Sequence, residues 1–257
     1  MPVMDEFKEE REALKNGTFQ QKLSYFMDYY KWHVIVSVIA LILVISIVTQ
    51  MINQKDSALY VCLLNTVENN DTAEYTQSLA EYAGIDLNKE EIYFDTSMFI
   101  EQGQLDQNSI LSTQKFAAYL TASQLDMMIT DSGSMADYAN DDYFYDMREF
   151  LTQEQVEKYQ QYFYYVDRAV VQKKLDARSD YNQEFIPDYP DPRHPENMEQ
   201  PIPVGFYLEG ENVLKTLFSF RGDEVILGVF RNTKHGENIS RFIDFLMQSN
   251  TPASTAT

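Results

Sequence analysis

The stretch Ala58–Asn65, ALYVCLLN, decides the fold. Seven apolar residues run together with no charge among them and end on an asparagine. Alternation of period two is missing, so neither face of a strand here is designed to meet water. Such a run marks a strand buried on both faces, as in a parallel sheet covered by helices. The next segments of the chain fit that reading. Asp71 and Glu74 form a cap-like pair that opens a helix, and Gly84 stands where it would close near Ala83. Ile92–Phe94 is a second short strand. Ser109 is placed to cap a helix running to about Ala122, and Met127–Ile129 is a third strand. The order β-α-β-α-β implies parallel strands joined by right-handed crossovers.

Further on, the chain changes character and then returns to this pattern. Asp131, Asp137, Asp141, Asp142 and Asp146 make an acidic stretch. Thr152 and Gln155 form a capping box flanked by Leu151 and Val156, so a helix is expected from about Gln153 to Gln161. Tyr162–Val166 reads as a strand and Ala169–Ala177 as a helix. Asn182–Pro203, with six prolines, reads as loop. Val204–Leu208 and Val225–Phe230 are strand-like, and Asn212–Phe218 is a short helix. Ile239, Phe242, Ile243 and Leu246 mark one face of a last helix. The end, 249–257, is small and polar and is expected to be disordered.

Upstream of the deciding strand lies Val34–Ile52, nineteen residues without a charge. At a helical rise of about 1.5 Å these cover roughly 28 Å, the thickness of a bilayer's hydrocarbon core. Tyr29, Tyr30, Lys31 and Trp32 precede it, where interfacial aromatics and a snorkelling lysine belong. The expected layout is a tail over 1–31, a transmembrane helix over 32–52 and an α/β domain over 53–257. The twenty residues before the span hold Lys15, Lys22 and Lys31, and the twenty after it hold Lys55 alone. That asymmetry points to a cytoplasmic N-terminus and an extracellular domain at the cell membrane, on a single-pass signal anchor.

Charge and cysteine narrow the functions. Of 20 basic and 40 acidic residues, 5 and 6 precede Asn53, which leaves 15 and 34 on the domain. A net charge near −19 there disfavours nucleic acid and anionic surfaces, and suits cations, neutral sugars, peptides or a basic protein. The single cysteine, Cys62, allows no internal disulfide and reads as a core residue, which suits a Gram-positive-type surface.

With these blocks in place, the order resembles a type 2 periplasmic-binding-protein fold, that of extracellular solute-binding proteins. The likeness rests on "ALYVCLLN", "IYFDTS" and "LDMMITD", on "YFYDMREFLTQEQVEKY", and on "EVILGVFRNTKHGENISRFIDFLM". It covers about 58–248. The chain also resembles anchored surface proteins of Gram-positive gut bacteria with a "YYKWH" lead into one span. The resemblance implies a first lobe of about 58–131 with 204–248 and a reduced second lobe of about 132–203. It implies capture or sensing of a small neutral or cationic solute, without catalysis. The alternative is an interaction or structural subunit of a membrane complex that keeps the fold without a ligand. The chain lacks a lipobox, and the short second lobe departs from transport binding proteins.

Ligands of open α/β sheets sit beyond the carboxyl ends of the strands. Here those ends are Asn65 and Thr66, Asp95, Thr96 and Ser97, and Asp131, Ser132 and Ser134, candidates to hold a sugar, peptide or cation. Ordinary strand-to-helix turns and caps use the same residues. The acidic stretch lacks EF-hand spacing, and His33, His194 and His235 share no ligand spacing, so no metal and no cofactor is expected. No nucleophile elbow, zinc-protease or phosphate-loop motif is present. Tyr162, Phe163, Tyr164 and Tyr165 read as aromatics alternating between core and surface. The partners expected are the bilayer, a small ligand and a membrane protein.

Overall fold

The structure, a computed structural model, describes residues 18–53, 55–101, 106–179, 188–210 and 212–248, apart from the side chains of 21–30 and 50–53. The first part of the expected tail, 1–17, and the expected disordered end, 249–257, lie outside the described residues. The chain divides into two compact units, one ending at Gln54 and the other beginning at Lys55.

The first unit contains one helix. α1, Phe19–Asn53, runs for 35 residues, about 52 Å at the standard rise. From Phe19 onward, the described part of the tail and the span are therefore one continuous helix. Its stretch Lys31–Thr49 has a mean hydropathy of 2.6, and none of it is buried by the rest of the chain. It is long and apolar enough to cross a membrane.

The second unit is a three-layer α/β body. In chain order it comprises β1 (Asp56–Leu63), β2 (Val67–Glu68), α2 (Ala73–Ala83), β3 (Glu90–Asp95), α3 (Gln107–Thr121), β4 (Met127–Asp131) and α4 (Ser132–Ala139). Then come α5 (Met147–Phe150), α6 (Gln153–Tyr159), β5 (Phe163–Asp167) and α7 (Arg168–Ser179). β6 (Pro201–Tyr207), α8 (Val213–Leu217), β7 (Phe218–Ser219), β8 (Val225–Val229) and α9 (Gly236–Gln248) complete it. The main sheet has six strands in the order β3-β1-β4-β8-β6-β5. β1 pairs in parallel with β3 and β4, as the βαβαβ reading expects, and the remaining pairs are antiparallel. The strands expected at 58–64 and 225–230 lie in this one sheet. So does β5, from the stretch assigned to the second lobe.

Alternate residues of the central strands face two different cores. Leu59, Val61, Leu63, Met127, Ile129 and Leu227 pack on one face with Leu79 of α2 and Phe242 of α9. Cys62, Leu64, Met128 and Ile226 pack on the other with Phe116 of α3, Met135 of α4 and Val171 of α7. Helices on both faces explain the unbroken apolar runs. They also correct the reading of the aromatic quartet. Phe163 and Tyr164 face opposite sides of the sheet, and both are buried.

Several boundaries differ from expectation for local reasons. Asp106, not Ser109, caps α3, accepting the N–H groups of Asn108 and Ser109. Ser109 instead receives the Glu101 N–H on its hydroxyl. The strand read from Val204 begins at Pro201, inside the proline loop. Pro201 and Pro203 pair only with β5, because β8 meets β6 at 205–207 alone. Their missing N–H groups therefore leave no gap in the ladder. A bulge at Val204 shifts the register between Tyr164 and Tyr165. It moves the face toward α3 and α4 from even residues (Ile202, Val204) to an odd one (Tyr207). The Thr152–Gln155 capping box forms as read, and Gly84 closes α2 in the left-handed region with φ +72°.

Candidate functional site

Of the eight residues singled out at the strand ends, Asn65, Asp131 and Ser134 form one hydrogen-bonded group and Asp95 and Ser97 belong to another. The first joins β1 to β4. Asn65, held at φ +56° just after β1, donates Nδ2 to Ser134 Oγ at 2.9 Å and to the Ile100 carbonyl at 3.0 Å. Its Oδ1 accepts the Ile100 N–H at 2.8 Å. Ser134 Oγ then donates to Asp131 Oδ2 at 2.8 Å, while Asp131 Oδ1 accepts the Ser134 N–H as the N-cap of α4. Thr66 is buried, and its hydroxyl donates to the Leu64 carbonyl, as does that of Thr130.

The second group lies at the end of β3. Asp95 Oδ2 accepts Lys115 Nζ at 2.7 Å and the Tyr60 hydroxyl, and Oδ1 accepts the Ser97 N–H at 2.9 Å. Lys115 also donates to Ser97 Oγ at 2.6 Å. Burial pushes the Asp95 carboxyl up, but the bonds from Lys115, Ser97 and Tyr60 outweigh it and hold the carboxyl at about 2. Thr96, partly exposed, lies between these two residues in the chain. Tyr60 is fixed by a stacked contact with Tyr93 and an edge contact with Tyr119.

A loop from the far end of the sequence closes over the first group. The Ser132 N–H donates to the Glu224 carbonyl at 3.0 Å. At Gly222 a Cβ would stand 3.3 Å from Asp131 Cβ, so the loop crosses directly over that carboxylate. Arg221, in the same loop, pairs with Glu101 at 2.6 Å. At the ends of β1 and β4, where a ligand would enter an open α/β sheet, the chain's own loop crosses Asp131.

Tyr60 and Lys115, which complete the Asp95 group, were not among the sequence candidates. Nor was Asp126, a wholly buried carboxylate just before β4. It accepts the Tyr60 N–H at 2.8 Å, the Thr233 hydroxyl and His235 Nδ1 at 3.0 Å. The signal was legible: a charge adjoining an apolar run must find partners when buried. Which partners it finds depends on the return strand. His235 and Ser134 therefore belong to different hydrogen-bonded groups. The acidic stretch also finds partners. Asp141 pairs with Lys174 and Arg178, Asp142 with Arg231, and Asp146 caps α5 and grips Arg148. No cluster of His, Cys, Asp and Glu suited to a metal ion occurs among the described residues.

No protein family, curated protein or solved structure matches this chain.

Proposed function

We propose that the chain is a membrane-anchored, non-enzymatic interaction protein. In this reading α1 crosses the bilayer, the N-terminus is cytoplasmic, and the acidic α/β domain stands outside and docks a basic partner. One observation carries it. The charged and amide groups at the strand ends that would bind a solute are bonded within the chain, Asn65, Ser134 and Asp131 to one another and Asp95 to Lys115, and the 220–224 loop crosses the Asp131 group. An unliganded solute-binding crevice needs free donors and acceptors to orient its ligand. The net charge near −19 on the domain supports a basic partner, since opposite fields steer association and oppose self-association. The lysine asymmetry around α1 supports the orientation.

The test is thermal unfolding of the detergent-solubilised full chain with neutral sugars, amino acids and short peptides, in wild type and in Asp95→Ala and Asp131→Ala. The expected result is no ligand-dependent stabilisation by the sugars or amino acids. A basic polypeptide should bind with an affinity that falls steeply as salt rises. A sugar or amino acid that raises Tm in wild type and not in the two variants would restore the solute-binding reading.

A further inference from the structure

The main sheet ends in two edge strands, β3 and β5, and the chain treats them differently. Along β5 its own backbone takes up the outer side. The Tyr165 N–H donates to the Pro192 carbonyl at 3.3 Å, and the Arg168 N–H to the Gln200 carbonyl at 2.9 Å. Asp167 accepts the N–H groups of Glu199 and Gln200. At the opposite edge, β3 pairs with β1 and with no other strand among the described residues.

The phase of the backbone decides which groups of β3 are left over. The Tyr60 N–H meets the Asp126 carboxylate, and the Tyr60 carbonyl accepts the Asp126 N–H. Just beyond β1 the Leu64 N–H reaches the Ile129 carbonyl. Even residues here turn their backbone toward β4, so Val61 turns its own toward β3. Val61 stands opposite Phe94, and a parallel ladder then bonds it to Tyr93 and Asp95. The N–H and C=O groups of Ile92 and Phe94 therefore point outward. Such a row is a template for one more strand.

The side chains select the chemistry of that strand. β3 reads EEIYFD, three acids and no base. Tyr93 is 39% exposed, stacks on Tyr60 and donates its hydroxyl to Glu91 at 2.7 Å. Asp56 of β1 lies opposite Glu90. Helix α2, whose Tyr75 ring lies 5.8 Å from that of Phe94, carries Glu74 and Glu81 and no basic residue. The neighbouring lysines are engaged: Lys115 with Asp95, Lys89 with Asp86, and Lys55 with the Leu87 carbonyl. Among the described residues neither Glu90 nor Glu91 has a basic partner. A second β3 would set acids against acids, the device by which edges resist self-pairing. A basic strand meets the opposite field.

We propose that β3 is the docking site of the basic partner, which adds an extended segment bearing lysine or arginine as a further strand beside Ile92 and Phe94. Main-chain bonds hold the segment, Glu90 and Glu91 select its charge, and the exposed Tyr93 ring offers a face to a cationic side chain. This rests on the docking reading above and gives it a site.

The experiment titrates the detergent-solubilised full chain with a short alternating lysine–valine peptide, followed by calorimetry and by amide hydrogen exchange. Binding should slow exchange across 90–95. Methylating every backbone nitrogen of the peptide keeps its charge and removes its donors, and should weaken binding about tenfold or more. Glu90→Gln with Glu91→Gln, which keeps an acceptor for the Tyr93 hydroxyl, should weaken it severalfold. Glu154→Gln with Glu157→Gln makes the same change of charge on α6, whose Tyr159 packs on Phe206 of β6 toward the other edge, and should have little effect. Equal affinity for the methylated peptide, unchanged exchange at 90–95, or equal losses in the two double variants overturns β3 as the site while the docking reading stands. No saturable binding of any basic polypeptide overturns the docking reading and this proposal with it. Circular dichroism and Tm report the folding of the variants, and the methylated peptide, which leaves the chain untouched, decides the matter if a variant unfolds.

Discussion

Asp95 and Asp126 show how one residue type does two jobs, one at the edge of the solvent and one wholly buried. The Asp95 side chain is 11% exposed and pairs with a Lys115 side chain that is 33% exposed. Its carboxyl titrates at about 2 in the fold and near 3.9 in the unfolded chain. A depressed pKa gives stability that is complete above the unfolded value and is lost as pH falls through the folded one. Asp95→Asn should therefore cost about 1 kcal/mol at neutral pH, after solvent screening, and almost nothing near pH 2. Urea unfolding at a series of pH values checks this, and a cost independent of pH would refute it. Asp126 is wholly buried with three different partners. Asp126→Ala leaves the Tyr60 N–H and His235 without their acceptor, at an expected cost on the order of 3 kcal/mol. For a domain of this size that lowers Tm by roughly 6–12 °C in thermal unfolding. Asp126→Asn, which keeps one acceptor oxygen, should lose less.

At the scale of elements, the antiparallel half of the sheet depends on a close approach that no hydrophobic pattern announces. Gly205 of β6 faces Gly228 of β8. A Cβ at Gly205 would stand 2.3 Å from the Leu227 carbonyl oxygen, which is backbone and cannot yield. A Cβ at Gly228 would meet the Met135 Cε at 2.6 Å and the Phe144 ring at 2.8 Å, side chains with some freedom to move. Gly205→Ala should therefore unfold the domain or cost well over about 2 kcal/mol, and Gly228→Ala should cost less. Denaturant midpoints of the two variants decide the order. The same strands show what could be read from residues alone. β1, β4 and β8 were legible because helices cover both faces and force unbroken apolar runs. β2 and β7, of two residues each, are too short to carry a period. The bulge at Val204 breaks the period of β6, and Pro201 and Pro203 look like loop until β8 is seen to stop short of them.

At the scale of the whole molecule, the strand-end residues could be named from sequence but their state could not. Asn65 and Ser134 are 69 residues apart, and the loop that covers Asp131 comes from beyond residue 219. Sequence spacing says which residues end a strand. Only the fold says whether those residues face each other or a ligand. The long apolar helix was the most legible feature, because crossing hydrocarbon requires a composition that few other segments have. It also bears the central claim, an acidic domain held outside the membrane by one span. Protease digestion of intact cells, with antibodies against the N-terminal tail and against α9, tests that claim most directly. The expected result is loss of the α9 epitope from intact cells, with the tail epitope retained on a protected fragment of span and tail. Survival of the α9 epitope until the membrane is permeabilised, with the tail digested from outside, would contradict it.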